Sequence, residues 1–98
     1  MKNDIIDKLT SYFDIELLLE FGNRESDAND IDLLIVSDNF IGVSTLKRKQ
    51  FVTNFDSHID PICLTTIQFE HLKKSNCTLY NNIISNHKFL YGNPANIF

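Results

Sequence analysis

Residues 17–38 read Leu17-Leu18-Leu19-Glu20-Phe21-Gly22-Asn23-Arg24, then Glu25-Ser26-Asp27-Ala28, then Asn29-Asp30-Ile31-Asp32-Leu33-Leu34-Ile35-Val36-Ser37-Asp38. Two apolar runs flank a polar stretch, which predicts a strand, a tight turn at Gly22, a polar loop and a second strand opened by two aspartates. Ile15 to Phe21 and Ile31 to Val36 are too continuously apolar for exposed strands, so both belong at the centre of a sheet covered on its two faces. Alternate residues of a strand share a face, which points Asp30 and Asp32 the same way with Cα atoms about 6–7 Å apart. Carboxylates at the mouth of so apolar a run are costly unless they meet water or a cation. The pair therefore reads as a two-carboxylate claw. The plainer alternative, that the aspartates only cap a strand end, fits poorly because Asp is depleted from such runs.

Working outward toward the N-terminus, Asn3 or Asp4 can cap a helix whose stripe is Ile5, Ile6, Leu9, Tyr12 and Phe13. Beyond Asp38 and a loop at Gly42, Ser44 is a fair N-cap for a helix of about 11 residues ending near Phe55. Leu46, Phe51, Val52 and Phe55 are expected to face inward, with Lys47, Arg48 and Lys49 spread over the solvated side. One of those cations steering a triphosphate is the sharper reading of the triplet. An extended segment follows, His58 to Leu64, in which Asp60, Ile62 and Leu64 share one face and Ile59, Pro61 and Cys63 the other. Pro61 has no N–H, so its nitrogen must face away from a neighbouring strand or sit at a bulge. Thr65-Thr66-Ile67-Gln68 matches a capping box and opens a helix that ends near Lys73-Lys74. Another helix spans Thr78 to about Asn86, and Lys88 to Tyr91 forms a last short strand before Gly92-Asn93-Pro94. Residues 93–98 are expected to fray.

The order is α-β-β-α-β-α-α-β, which implies an α+β (loosely α/β) single domain over residues 1–98. Its core is a mixed sheet of about four strands with helices packed against it. Hydrophobic residues make up 43% of the 98 residues, enough for one real core, and the net charge of −4 argues against a mainly electrostatic nucleic-acid binder. No apolar run reaches the roughly 18–20 residues that span a bilayer, and the N-terminus lacks a signal-peptide core, so a cytoplasmic protein is expected. Cys63 and Cys77 stand apart from any Cys-x-x-Cys pair and read as small thiols rather than zinc ligands or a disulfide.

Asp60 is the third carboxylate of interest. If its strand lies beside Ile31 to Val36, a register exists in which Asp60 joins Asp30 and Asp32 on one face and at one edge. Converging carboxylates hold hard divalent ions, Mg²⁺ or Mn²⁺, which bridge protein oxygens to substrate phosphates. Asp30 and Asp32 would then carry the metal and its triphosphate, with Asp60 as third ligand and as the base that activates an acceptor hydroxyl. Gly22 and Asn23 would cradle phosphate through close backbone approach, and Arg24 would add a charge-assisted contact. His58 would lie on the face of Asp60 as a supporting base. His71 and His87 fall on predicted helices at the surface, and Tyr12, Tyr80 and Tyr91 are expected half-buried.

At these residues, Gly22-Asn23-Arg24, Asn29-Asp30-Ile31-Asp32-Leu33 and Ile59-Asp60, the chain resembles the minimal nucleotidyltransferase (MNT) domain of the polymerase-beta-like nucleotidyltransferase superfamily. That family carries a Gly-Ser turn after its first strand, Ser-Asp-x-Asp-Leu on the second and an Asp on a later strand. The resemblance covers nearly the whole chain, since Ile62-Cys63-Leu64-Thr65 before a helix and Phe89-Leu90-Tyr91-Gly92 look like the family's ending. It implies metal-dependent transfer of a nucleoside monophosphate, AMP from ATP, onto a hydroxyl. Small members of the family are commonly encoded beside a helical HEPN partner, and some are antitoxins that adenylylate a tyrosine of that toxin.

Asn23 and Asn29 stand where the family has Ser, and the loop from Gly22 to Asp30 is shorter than usual and lacks a second glycine. These departures leave the metal ligands intact and alter the phosphate cradle. They motivate an alternative of another class: a nucleotidyltransferase-like binding module that neutralises or regulates a HEPN-type partner by association, in a homo- or hetero-oligomer.

Overall fold

The computed structural model describes residues 3–22, 31–75 and 77–98. Its elements are α1 (Asn3–Tyr12), β1 (Ile15–Phe21), β2 (Ile31–Ser37), α2 (Thr45–Phe55), β3 (Ile59–Leu64), α3 (Thr66–Ser75), α4 (Thr78–Ser85) and β4 (His87–Gly92). Short 3-10 turns lie at Asp38–Phe40 and Pro94–Ile97. The expected order of helices and strands is the observed one. The strands form a single mixed sheet in the order β3-β2-β1-β4. β1 pairs antiparallel with both β2 and β4, and the crossover through α2 makes β3 parallel to β2.

Both central strands are buried on their two faces. Leu18, Leu33, Ile35, Ile59 and Cys63 pack with Ile5 and Leu9 of α1, Val52 of α2 and Phe40. Leu17, Leu19, Phe21, Leu34 and Val36 pack on the opposite face with Phe69 of α3, Ile83 of α4 and Ile97. Each buried Leu or Ile contributes about 1.5–3 kcal/mol by leaving water, so the two clusters drive the sheet together.

Local signals in the sequence set the helix starts. Ser44 Oγ accepts the Lys47 N–H at 3.3 Å and begins α2. At α3 the capping box closes both ways: Gln68 N–H donates to Thr65 Oγ1 (3.2 Å) and Thr65 N–H donates to Gln68 Oε1 (3.0 Å).

The rotation of α2 differs from the expected one. Arg48 is buried at 6% exposure, while Leu46 (66%) and Phe51 face solvent. Arg48 shares a stripe with Val52 and Phe55, and Leu46 lies about 200° round the helix from it. What makes the burial tolerable is a set of three acceptor oxygens around the guanidinium. Arg48 Nε donates to the Val43 carbonyl at 2.8 Å, and Nη1 donates to the Cys63 carbonyl (3.1 Å) and Gln68 Oε1 (2.8 Å). The guanidinium also sits 5.7 Å from the Phe40 ring centroid. Arg48 thus ties α2 to the outer edge of β3 and to α3. Pro61, without an N–H, stands on that same edge strand, so both features discourage pairing with a further strand. Arg48→Ala should lower the unfolding free energy by about 2–4 kcal/mol, since it orphans two carbonyls and an amide and opens the α2–β3–α3 junction. Urea unfolding followed by circular dichroism measures this, and a loss below about 1 kcal/mol would mean that Arg48 is only a surface cation.

Other expectations also give way, among them that of a half-buried Tyr91, which is exposed on the edge strand β4. Tyr12 is exposed (72%) rather than core or half-buried, because it closes α1 edge-on to Phe55, ring centroids 5.0 Å apart, with its other face in solvent. His87 begins β4 instead of ending a helix, and is half-buried. Residues 93–98 do not fray: Asn93 Oδ1 accepts the Ala95 N–H, and Ile97 is buried at 3% in the α3–α4 core. Tyr80 Oη and Lys73 Nζ donate to the carbonyls of Ile97 and Asn96, holding the turn down.

Candidate functional site

The register of the sheet places one row of residues on its α3–α4 face. Phe21 pairs with Asp32 on one side and His87 on the other, and Asp32 pairs with Asp60 across the parallel β2–β3 ladder. Directly paired residues of neighbouring strands share a face, and adjacent strands run about 4.8 Å apart. The row is therefore His87, Phe21, Asp32, Asp60. Asp32 and Asp60 lie side by side on one face at one end of the sheet, where Asp32 is half-buried and Asp60 exposed. Burial along β2 becomes complete only from Leu33 onward.

Gly22 closes on this row from β1. Its φ of +92° is a left-handed backbone that side chains avoid, and a Cβ placed there would sit 2.8 Å from Asp32 Oδ2. Only a glycine lets the turn come so near the carboxylate. The N–H of Gly22 is itself committed, donating to the Asn86 carbonyl at 3.1 Å, so this turn is pinned to the α4–β4 junction and any amide aimed at an anion comes from beyond it.

Asp60 Oδ1 lies 3.3 Å from Lys49 Nζ, both side chains 53% exposed. Lys49 reaches it from α2, on the opposite face of the sheet, around the outer edge of β3. A groove of about 310 Å³ opens there, lined by Thr45, Arg48, Lys49, Asp60 and Gln68 among others.

Asn23, Arg24 and Asp30 lie outside the described residues. Among the described residues no group of three His, Cys, Asp or Glu side chains is gathered about a point. Among the described residues Asp32 and Asp60 are two carboxylates at paired positions on one face, with the Gly22 turn close against Asp32, and oxygen donors of this kind suit a hard divalent ion rather than a soft one.

His58 does not join the site. It lies in the turn before β3, where its N–H donates to Asp56 Oδ1 at 2.9 Å and its Nδ1 stands 3.3 Å from the same oxygen. That backbone donation is the main reason the Asp56 carboxyl is held below its ordinary range. Nor do the cysteines: burial pushes the Cys63 thiol up to about 12, and Cys77 is a half-exposed thiol lowered mainly by the Ser75 side chain.

Two members of the neighbourhood escaped sequence reasoning. His87 Nδ1 lies 2.9 Å from the Ile83 carbonyl and 3.2 Å from that of Ile84, acceptors that place the ring proton on Nδ1. Lys49 was legible only as one of three successive cations, since nothing local distinguishes which of them turns toward Asp60.

No family model matches the sequence, and no curated protein matches it. Solved structures do. The MNT antitoxin in the complex with the tri-AMPylated Shewanella oneidensis HEPN toxin superposes with a TM-score of 0.61 at 17% identity, covering 97% of this chain and 76% of that one. The MntA–HpeT toxin–antitoxin complex gives 0.61 at 19%, covering 99% and 77%. A Sulfolobus solfataricus protein assigned to the nucleotidyltransferases gives 0.59 at 20%, covering 91% and 75%. This chain therefore has the fold of a minimal nucleotidyltransferase domain.

Proposed function

We propose that this protein is a metal-dependent nucleotidyltransferase that moves AMP from ATP onto a hydroxyl, with a tyrosine of a helical HEPN-type partner as the acceptor. The observation that carries the reading is the Asp32–Asp60 register with Gly22 closed against Asp32. The partner and the adenylyl group are suggested by the neighbours, which include a tri-AMPylated HEPN toxin bound to its antitoxin and a toxin–antitoxin complex with AMP-PNP.

Asp30, Asp32 and Asp60 would hold Mg²⁺ or Mn²⁺, which when bound neutralises and orients the triphosphate. Asp32, backed by the Gly22 turn, fixes where the phosphates lie. Asp60, exposed on the edge strand β3, would take the proton from the acceptor hydroxyl as the oxygen attacks the α-phosphorus. The bond to pyrophosphate breaks, pyrophosphate leaves and the phosphoester remains on the acceptor. Asn23 and Arg24 follow the glycine turn and would meet the phosphate chain.

Isothermal titration of the purified chain with ATP should show binding in the presence of Mg²⁺ or Mn²⁺ and little without. Heat that is absent with both ions, for ATP and for the other nucleoside triphosphates, would leave the association-only module as the better account.

A further inference from the structure

Lys49 holds one oxygen of the Asp60 carboxylate from the outer edge of β3. Its position is not a matter of chance. Arg48, its neighbour in α2, is anchored by three hydrogen bonds that set the rotation of the helix. One residue further, about 100° round, falls at the outer edge of β3, where Lys49 Nζ meets Asp60 Oδ1 at 3.3 Å. The pair is half exposed, and the adjoining groove of about 310 Å³ gives the lysine room to swing. An exposed ion pair is weak, so an ion of twice the charge displaces the ammonium readily. A lysine suits such an exchange better than an arginine, whose planar fork would grip the carboxylate at two points.

We propose that Lys49 is a positioning residue: it holds the Asp60 carboxylate in the cation-free protein, yields it to the incoming metal and turns its ammonium to the phosphate oxygens of the bound triphosphate. The inference rests on the metal-dependent reading above and adds an order of events to it. Asp60 is kept oriented and its charge balanced before nucleotide arrives, and the same cation afterwards offsets charge on the triphosphate.

Mn²⁺ titrations followed by electron paramagnetic resonance test it, with the metal alone and with a non-hydrolysable ATP analogue. Lys49→Gln should bind Mn²⁺ alone roughly three- to fivefold more tightly, because the competitor for Asp60 is gone. It should bind the Mn²⁺–analogue complex roughly five- to tenfold more weakly, because a phosphate contact is gone. Lys49→Arg should restore the second value. In an Asp60→Asn background, Lys49→Gln should no longer tighten Mn²⁺ binding. A lysine with a merely structural role moves both affinities the same way or neither. If wild type binds Mn²⁺ and Lys49→Gln binds it equally or less tightly, the proposal is overturned and the site reading stands. If wild type binds no Mn²⁺ with or without the analogue, the site reading falls and the proposal with it.

Discussion

Asp32→Asn is expected to reduce Mg²⁺-dependent ATP binding by more than about 100-fold. Asn keeps the shape of the side chain and removes only the charge, so the loss isolates the electrostatic demand of a hard cation for an anionic oxygen. Changes to residues that merely support metal ligands cost about 10–100-fold, and a ligand itself costs more. Thermal stability should stay within about 1 kcal/mol of wild type, because Asp32 is half-buried at the open end of its strand and outside the two apolar clusters. Titration calorimetry beside a melting curve separates the two effects. An affinity that stays within a few-fold of wild type would remove Asp32 from the site.

Gly22→Ala should damage the site out of proportion to its effect on folding. The methyl group must be carried at φ +92° and would collide with Asp32 Oδ2. Backbone strain of this kind costs about 1–3 kcal/mol. The atom the methyl meets is the far end of a side chain, which can shift where backbone cannot, so on the proposed role of Asp32 the carboxylate is displaced from its binding position and affinity for Mg²⁺–ATP should fall by about tenfold or more. Gly92→Ala is the matching control. It too has a left-handed backbone, at φ +106°, and its Cβ would fall on the Glu16 carbonyl, a backbone atom that cannot step aside. Gly92→Ala should therefore destabilise more than Gly22→Ala while leaving the affinity of the folded fraction near wild type. If both variants lose affinity only as they lose stability, the Gly22 turn has no special part in binding.

What the sequence by itself determined is the content of the elements and where the helices begin. The two apolar runs, the Ser44 cap and the Thr65–Gln68 box are interactions among residues within four positions of one another, and the chain carries them wherever it folds. The spacing of Asp32 within its strand and the isolated Asp60 were legible for the same reason, and so was Gly22 at the end of a buried strand.

Tertiary structure decided the rest. Nothing within Ile59–Leu64 states that β3 pairs parallel to β2 with Asp60 opposite Asp32; one step of slippage would turn Asp60 to the other face. That register follows from the burial of Ile59 and Cys63 on one side and Ile62 and Leu64 on the other. α2 carries apolar residues on more than one side, so its own pattern left its rotation open. Arg48 went inside because Val43, Cys63 and Gln68 supply oxygens that only the folded chain brings together. Ile97 likewise had no partner until α3 and α4 formed a surface for it. Local order depends on neighbours along the chain and can be read there, whereas the meeting of Lys49 with Asp60 depends on which distant surfaces exclude water together.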